Sequence, residues 1–291
     1  MESEHFEASR EKLRRLAYRL LGTVEDADDA LQETYLKWLG IDNREIRSPE
    51  SWLVTAITRI CIDRMRTKAR EKKFYTGPWL PGPLYVEEPM TAHARMEMTS
   101  DLSMALLILL ERLSAEERAV YLLRDIFDYP YAHISTVVGK TEAACRQILS
   151  RARKHIQEQK PRFMVRGDRQ QAVVEKFLGA LQLDDENMLM EAIAEDASIT
   201  SDGGGRVTAA LNIIQGRERI CRLLLTVRGK INGKIDDRLM LINGEPGIVT
   251  YVDNIPRALF FMETNDEQVL SLFRLMNPEK LSSIPRLNAL Q

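Results

Sequence analysis

The chain has 291 residues, with 41 basic and 43 acidic side chains, four histidines and a formal charge of −2. That length suits two domains of about 100–200 residues each, and the near-neutral total gives no composition-wide sign of a nucleic-acid binder. Cys61, Cys145 and Cys221 are odd in number, far apart and in apolar surroundings, which argues against a disulfide framework or a metal site and for a reducing compartment. The charged start MESEHFEASREKLRRL lacks an apolar signal core, and no apolar run approaches the ~20 residues of a membrane span. A cytoplasmic protein without membrane contact is expected.

In chain order, Leu13, Leu16, Ala17, Leu20 and Leu21 follow the spacing of an amphipathic helix. Gly22-Thr23 interrupts it, and Thr23 is placed to cap a second helix with Glu25, Asp26 and Asp28 in its first turns, where the helix dipole favours carboxylates. Ala27, Ala30, Leu31, Tyr35, Trp38 and Leu39 are its expected buried face. Ser48-Pro49 starts a third helix, which runs through Trp52, Leu53, Ile57 and Ile60 into a basic stretch. From Arg59 to Lys73 that stretch holds Arg59, Arg64, Arg66, Lys68, Arg70, Lys72 and Lys73 against Asp63 and Glu71, whereas Glu25 to Glu33 holds five carboxylates and no base. The neutral total therefore hides one acidic and one basic patch, as expected of a chain with two partners of opposite character.

GPWLPGPLYVEEP (77–89) follows, with four of the eleven prolines. Slack tethers are Gly/Ser-rich and polar, but this one carries Trp79, Leu80, Leu84 and Tyr85. Prolines lower the entropy cost of a fixed path, so a docking strip is expected. Helices resume near Thr99, and Ser114 caps AEERAVYLLRDIF. YAHISTVVGKTEAACRQILSRARKHI (131–156) then divides into a short helix, a Gly139-Lys140-Thr141 turn and a second helix capped by Thr141, the grammar of a helix-turn-helix. Arg146, Gln147, Ser150, Arg151, Arg153 and Lys154 are left outward, able to meet guanine edges and phosphates. A plain helical hairpin with a solvated basic face would show the same spacing.

Beyond Arg162, RQQAVVEKFLGALQLDDENMLMEAIAED predicts two helices. The segments ASITSD, RVTAALN, DDRLMLING, GIVTYVD, RALFFMET and EQVLSLFRLM predict strands, with the helix GRERICRLLLTVRG between the second and third. Helices followed by a strand-rich meander imply an α+β domain with a curved antiparallel sheet. Asn243-Gly244 is its clearest hairpin signal. Gly203-Gly204-Gly205 lies between predicted strands, with no helix N-terminus to cradle a phosphate, so a loop or bulge is expected. The histidines are His5, His93, His133 and His155, so a His-dependent acid/base mechanism in this region is excluded. Asp202, Asp236 and Asp237 remain as candidate acid/base groups, but carboxylates beside turns are usually solvated surface groups, and that is the expectation for them. No catalytic residue, cofactor or metal is assigned.

These motifs together resemble a bacterial family. DADDALQETYLKWL (26–39) looks like the core-polymerase-binding segment of extracytoplasmic-function (ECF) sigma factors. SPESWLVTAITRICIDRMRTKAREKK resembles the segment that melts and reads the minus-ten promoter element, and residues 112–156 resemble the domain that reads the minus-thirty-five element. The C-terminal region resembles SnoaL-like members of the NTF2-like cone fold. With DGGGRVTAAL (202–211) and the linker GPWLPGPL, the whole looks like the sigma-J-like subgroup.

The resemblance implies a multidomain protein: two all-α sigma domains, at 1–75 and 99–160, joined by a linker at 76–98, then an α+β SnoaL-like domain at 161–291. Asp26, Asp29, Gln32 and Glu33 would meet the clamp helices of the largest subunit of core RNA polymerase, and the second helical domain would meet the flap of the second-largest subunit. Trp52, Arg59, Asp63, Arg64, Arg66 and Arg70 would line the minus-ten site, though many family members have Asn where Arg59 stands. Thr141, Arg146, Gln147, Ser150, Arg151, Arg153 and Lys154 would face the minus-thirty-five element of promoter DNA. Regulation would run through Trp79, Leu80, Pro81, Asp202, Gly203, Gly204, Asn243 and Gly244, with a small-molecule ligand in the C-terminal pocket as a further partner. Gly82 replaces the Glu of the subgroup's linker motif. A helix-turn-helix regulator carrying a ligand-sensing or enzymatic SnoaL-like domain is the alternative.

Overall fold

The computed structural model describes residues 2–41, 46–71, 75–84, 86–87, 103–157 and 168–287. They divide into two units, one from residues 1–74 and 106–160 and the other from residues 75–105 and 161–291.

In the first unit the expected periodicity becomes three long helices, α1 (Glu2–Leu21), α2 (Val24–Leu39) and α3 (Pro49–Glu71). Leu13, Leu16, Leu20, Trp38, Leu53 and Ile57 bury completely or nearly so between them. Each such side chain contributes about 1.5–3 kcal/mol relative to exposure. Leu39, expected inside, is exposed, as is Leu36. They sit at the end of α2, beyond the stripe that Ala27, Ala30, Leu31, Thr34 and Trp38 turn toward the core. A short helix α4 (Met104–Leu110) carries the chain between the units, starting after the expected Thr99, which lies outside the described residues.

Next comes α5 (Ala115–Tyr121), running into a π-helical turn at Leu122–Ile126. Its start is a reciprocal cap: Ser114 Oγ accepts from the Glu117 amide, and the Glu117 carboxylate accepts from the Ser114 amide. Then α6 (Tyr131–Val138) and α7 (Glu142–Gln157) form the helix-turn-helix. Gly139 takes the left-handed conformation at φ 67° that ends α6, and Thr141 Oγ1 accepts from the Ala144 amide to start α7. Cys145, Ile148, Leu149, Ala152 and Ile156 line the buried side of α7.

The second unit is built on a seven-stranded sheet. Helices α8 (Asp168–Gln182) and α9 (Glu186–Ala192) precede β2 (Ile193–Asp202) and β3 (Ile214–Gln215), and α10 (Arg217–Arg228) precedes the hairpin strands β4 (Ile235–Ile242), β5 (Glu245–Val252), β6 (Ile255–Thr264) and β7 (Val269–Leu275). The chain closes on α11 (Pro278–Leu281). The sheet order is β1-β4-β5-β6-β7-β2-β3. Here β1 is Val86–Glu87 of the linker, paired antiparallel with Leu241 and Ile242 of β4. The linker thus supplies an edge strand, which its prolines did not announce.

Two expectations are corrected. The sheet is not wholly antiparallel, because β2 returns beside β7 in parallel. RVTAALN (206–212) forms no strand, because the Arg206 and Val207 amides both bond back to the Gly203 carbonyl and turn the chain off the ladder. One face of the sheet packs on α8, α9 and α10 through Phe177, Leu189, Ile220, Leu224, Ile248 and Phe260.

Replacing Ser114→Ala removes half of the reciprocal cap. It should lower the stability of the helical unit by about 1 kcal/mol, read as a shifted urea midpoint with unchanged slope.

Candidate functional site

Two groups of side chains stand out, one in each unit. In the helical unit the acidic side of α2 and the basic side of α3 meet each other. Arg64 Nη2 donates to Glu33 at 3.2 Å, Arg64 Nη1 lies 3.8 Å from Asp29, and Lys68 pairs with Asp26. Glu33 is held below the usual carboxylate range: its partial burial pulls the other way, but Lys37 and Arg64 outweigh it. Gln32 and Asp29 remain on the surface. Trp52 packs at a tilt against Trp38 with centroids 5.4 Å apart, so much of this ring is spent on α2. Asp63 is exposed and accepts from Arg66. The side chain of Arg70, with Lys72 and Lys73, lies outside the described residues.

Two further arginines of α3 turn to α5 and α6. Arg59 donates through Nη2 to the Thr136 carbonyl at 2.6 Å and through Nε to the Val137 carbonyl at 3.1 Å. These are last-turn carbonyls of α6 that no helical amide satisfies, and a cation there also meets the negative end of the helix dipole. Arg66 reaches Glu116 at 2.9 Å, and Lys140 of the turn reaches the same carboxylate at 3.2 Å. These two cations hold Glu116 below its ordinary pKa against the upward pull of its partial burial. Sequence reading missed Glu116 and Lys140 because each looks like an ordinary surface charge until α3 is brought alongside.

The outward face of α7 is as expected from its spacing. Arg146, Gln147, Ser150, Arg151, Arg153 and Lys154 are exposed, as is Thr141 at its start. Arg146 lies over the Tyr131 ring at 4.6 Å and pairs with Glu142, which holds its guanidinium at the N-terminal end of the helix. Arg153 forms a two-pronged pair with Asp125 at 2.7 and 2.8 Å.

In the second unit the site centres on a carboxylate. Asp202 is fully buried, against the expectation of a solvated turn group. Its Oδ1 accepts from the Tyr75 hydroxyl at 2.6 Å and the Gly204 amide at 2.9 Å. Its Oδ2 accepts from the Leu80 amide at 2.8 Å and Lys280 Nζ at 2.7 Å. Lys280 also donates to the Leu80 carbonyl at 2.6 Å and lies 4.0 Å from the Trp79 ring. Burial and the adjacent Asp202 push the Tyr75 phenol above its ordinary pKa.

Further along the linker, Asn243 accepts from the Leu84 amide at 2.9 Å. Its positive φ of 52°, followed by 84° at Gly244, forms the two-residue turn between β4 and β5. Leu80, Pro81, Gly82 and Leu84 are buried.

Packing explains the glycines. A Cβ on Gly203 would lie 2.5 Å from the Val207 carbonyl. One on Gly204, whose φ is 62°, would lie 2.3 Å from the Asn277 amide. Gly82 packs on the Lys280 stem. Lys280 and Asn277 were missed by sequence reading. Their signal is the segment Asn277-Pro278-Glu279-Lys280-Leu281, in which Asn277 caps α11 and so fixes where Lys280 points.

Among the described residues no helix is long and apolar enough to cross a membrane, and no group of side chains is arranged to hold a metal ion.

Removing the carboxylate in Asp202→Ala strands a buried ammonium and should cost about 3–5 kcal/mol. Exchange of the Leu80 amide should accelerate with it. Adding Lys280→Met should recover much of that stability, since the stranded charge goes; simple additivity in urea unfolding would refute the coupling.

Comparison with known proteins agrees with this arrangement. Residues 5–71 match the family Sigma-70 region 2, and residues 103–156 match Sigma-70, region 4. The chain is similar to the ECF RNA polymerase sigma factor SigJ of Mycobacterium tuberculosis, with 33% identity over 98% of this chain and 95% of the relative. It is also similar to the probable ECF RNA polymerase sigma factor SigI of the same organism, with 25% identity over 97% of this chain and 95% of that one. The crystal structure of M. tuberculosis SigJ matches with a TM-score of 0.74 at 29% identity, covering 96% of this chain and 98% of that chain.

Proposed function

This chain belongs to the ECF RNA polymerase sigma factors, and from that premise we propose that it rests with its promoter-reading surfaces tied together and its linker docked on the SnoaL-like domain. Its function is promoter-specific transcription initiation with core RNA polymerase. The observation that carries the proposal is Arg59. This arginine of the minus-ten segment spends its guanidinium on the last carbonyls of α6, while Arg66 spends its own on Glu116. Both must let go before α3 can take up a melted strand.

The division of labour follows the chemistry. Asp26, Asp29, Gln32 and Glu33 on α2 dock on the basic clamp helices of the polymerase, exchanging Arg64 and Lys68 for polymerase cations. Such contacts form fast and weaken with salt. The second helical domain meets the flap of the second-largest subunit. Arg146, Gln147, Ser150 and Arg151 read the minus-thirty-five duplex from α7, with Thr141, Arg153 and Lys154 near its phosphates. Trp52, Arg59, Asp63, Arg64, Arg66 and Arg70 serve the minus-ten element, where cations beside rings stack unpaired bases.

The C-terminal domain regulates by holding the linker through Asp202, Asn243 and β1. A fused domain acts at high effective concentration, so modest contacts suffice. This reading gives the domain a regulatory rather than a catalytic role. No histidine follows His155, Asp202 is filled by four donors, and Asp237 is taken by Arg228 and Thr250. Three free, buried cysteines and a polymerase partner suit the cytoplasm.

Run-off transcription with core polymerase, on the promoter upstream of the protein's own operon, tests the whole proposal. Arg146→Ala should cost about 1–3 kcal/mol at a single position of the upstream element; uniform weakening on every duplex would make this arginine a phosphate contact only. Glu116→Ala, which unties Arg66 and Lys140, should raise the rate of open-complex formation. An unchanged rate would mean that the tie does not limit initiation.

A further inference from the structure

Behind the linker dock, the same two strands present a second pair of polar groups to the opposite face. Successive strand residues alternate sides. Asp202 and Leu275, paired in register, face the linker side, so Ser201 and Arg274, also paired in register, face the helix-covered core. Arg274 is flanked on β6 by its register partner Phe260, whose ring lies 5.6 Å from the guanidinium and packs in turn on Phe177 of α8.

Only 9% of Arg274 is exposed. Its Nε is sealed from water without a hydrogen-bond partner, and so is the Ser201 hydroxyl beside it. No carboxylate among the described residues pairs with this guanidinium. Burial, together with the like charge of Arg228, pulls its pKa down to about 10, so at neutral pH it keeps its charge. The carboxylates that Arg228 meets are already committed. Asp237 accepts from Arg228 at 2.8 Å and from Thr250, and Asp184 accepts from Arg228 Nε at 2.6 Å. Asp184 stands at the surface, 57% exposed, so among the buried charges of this unit Asp202 is matched by Lys280 and Asp237 by Arg228. Arg274 is the buried cation left over, an arrangement that is costly unless something neutralises it.

We propose that this inner face of the C-terminal domain binds a small organic carboxylate, held by the Arg274 guanidinium with the Ser201 hydroxyl as a second donor. A planar carboxylate matches the forked edge of a guanidinium, and its single negative charge cancels the single excess cation. A phosphate dianion would overshoot that balance. The apolar surroundings, with Phe260 against the cation, favour a ligand whose carboxylate carries an apolar body, such as an aryl or alkyl acid. The site lies one residue along each strand from Asp202, and the Met276 and Asn277 amides that follow β7 bond to the Asp202 carbonyl. Occupancy at Arg274 is thus felt at the dock through two residues of backbone.

The test uses the full chain and needs no polymerase, so its outcome is independent of the transcription proposal. Thermal unfolding is followed with sodium benzoate, acetate, phosphate and chloride at equal ionic strength, and the Arg274 Nε–Hε resonance is followed by NMR over the same titrations. Benzoate should raise the midpoint and move that resonance, with acetate weaker and chloride without effect. Arg274→Met, which removes the excess charge, should keep the fold and lose the response to benzoate. Ser201→Ala should weaken benzoate binding by roughly tenfold. Equal responses of wild type and Arg274→Met, or an Arg274 resonance that benzoate does not move, would overturn the site. A response to phosphate alone would overturn the carboxylate assignment. Should Arg274→Met fail to fold, the wild-type resonance and Ser201→Ala decide.

Discussion

A buried carboxylate cannot stay charged and unsatisfied, and in this protein that constraint organises the C-terminal unit. Asp202 collects a hydroxyl, two amides and an ammonium, and three of these donors are distant from it in sequence. Tyr75 and Leu80 come from the linker and Lys280 from α11. The carboxylate thus fixes the path of a segment 122 residues earlier in the chain. Around it the other features fall into place. Gly203 and Gly204 are small because a Cβ there would strike Val207 or Asn277, and Trp79 has a cation beneath its ring. The linker ends as a strand on the sheet.

The helical unit applies the same rule with reversed sign. Arginines that the sequence offers to DNA find acceptors at home, Arg59 at a helix end and Arg66 at Glu116. Neither contact is deeply buried, and exposed ion pairs are individually weak, about 0–1 kcal/mol. Such ties suit a contact that must be exchanged for polymerase and promoter rather than one that fixes the fold.

Much of the site could be read from residue order. The acidic α2, the basic α3 and the outward face of α7 follow from local spacing, and local spacing survives folding because a helix fixes which residues share a side. The linker's apolar content also read correctly as something to bury. Lys280 and Glu116 could not be found that way, since nothing local separates a docking charge from a solvated one. The strand expected at 206–212 failed because a turn at Gly203 outweighed the β-branched pattern. The parallel pairing of β2 and β7 joins strands that lie far apart in sequence, so no hairpin signal could announce it.

By itself the sequence determined the helices, the caps at Ser114 and Thr141, the Asn243-Gly244 turn and the separation of acidic from basic surface, since each depends on neighbours a few residues away. Thr23, expected as a cap, stands at the N-cap position of α2 but makes no side-chain cap bond. Tertiary structure decided which carboxylate is buried and what it holds. Asp202, Asp236 and Asp237 look alike in the sequence, but Asp202 lies under the linker, Asp237 meets Arg228, and Asp236 pairs with Arg238 on the surface. A carboxylate's role is set by which donors the fold carries to it across the chain, and that is a property of packing rather than of order.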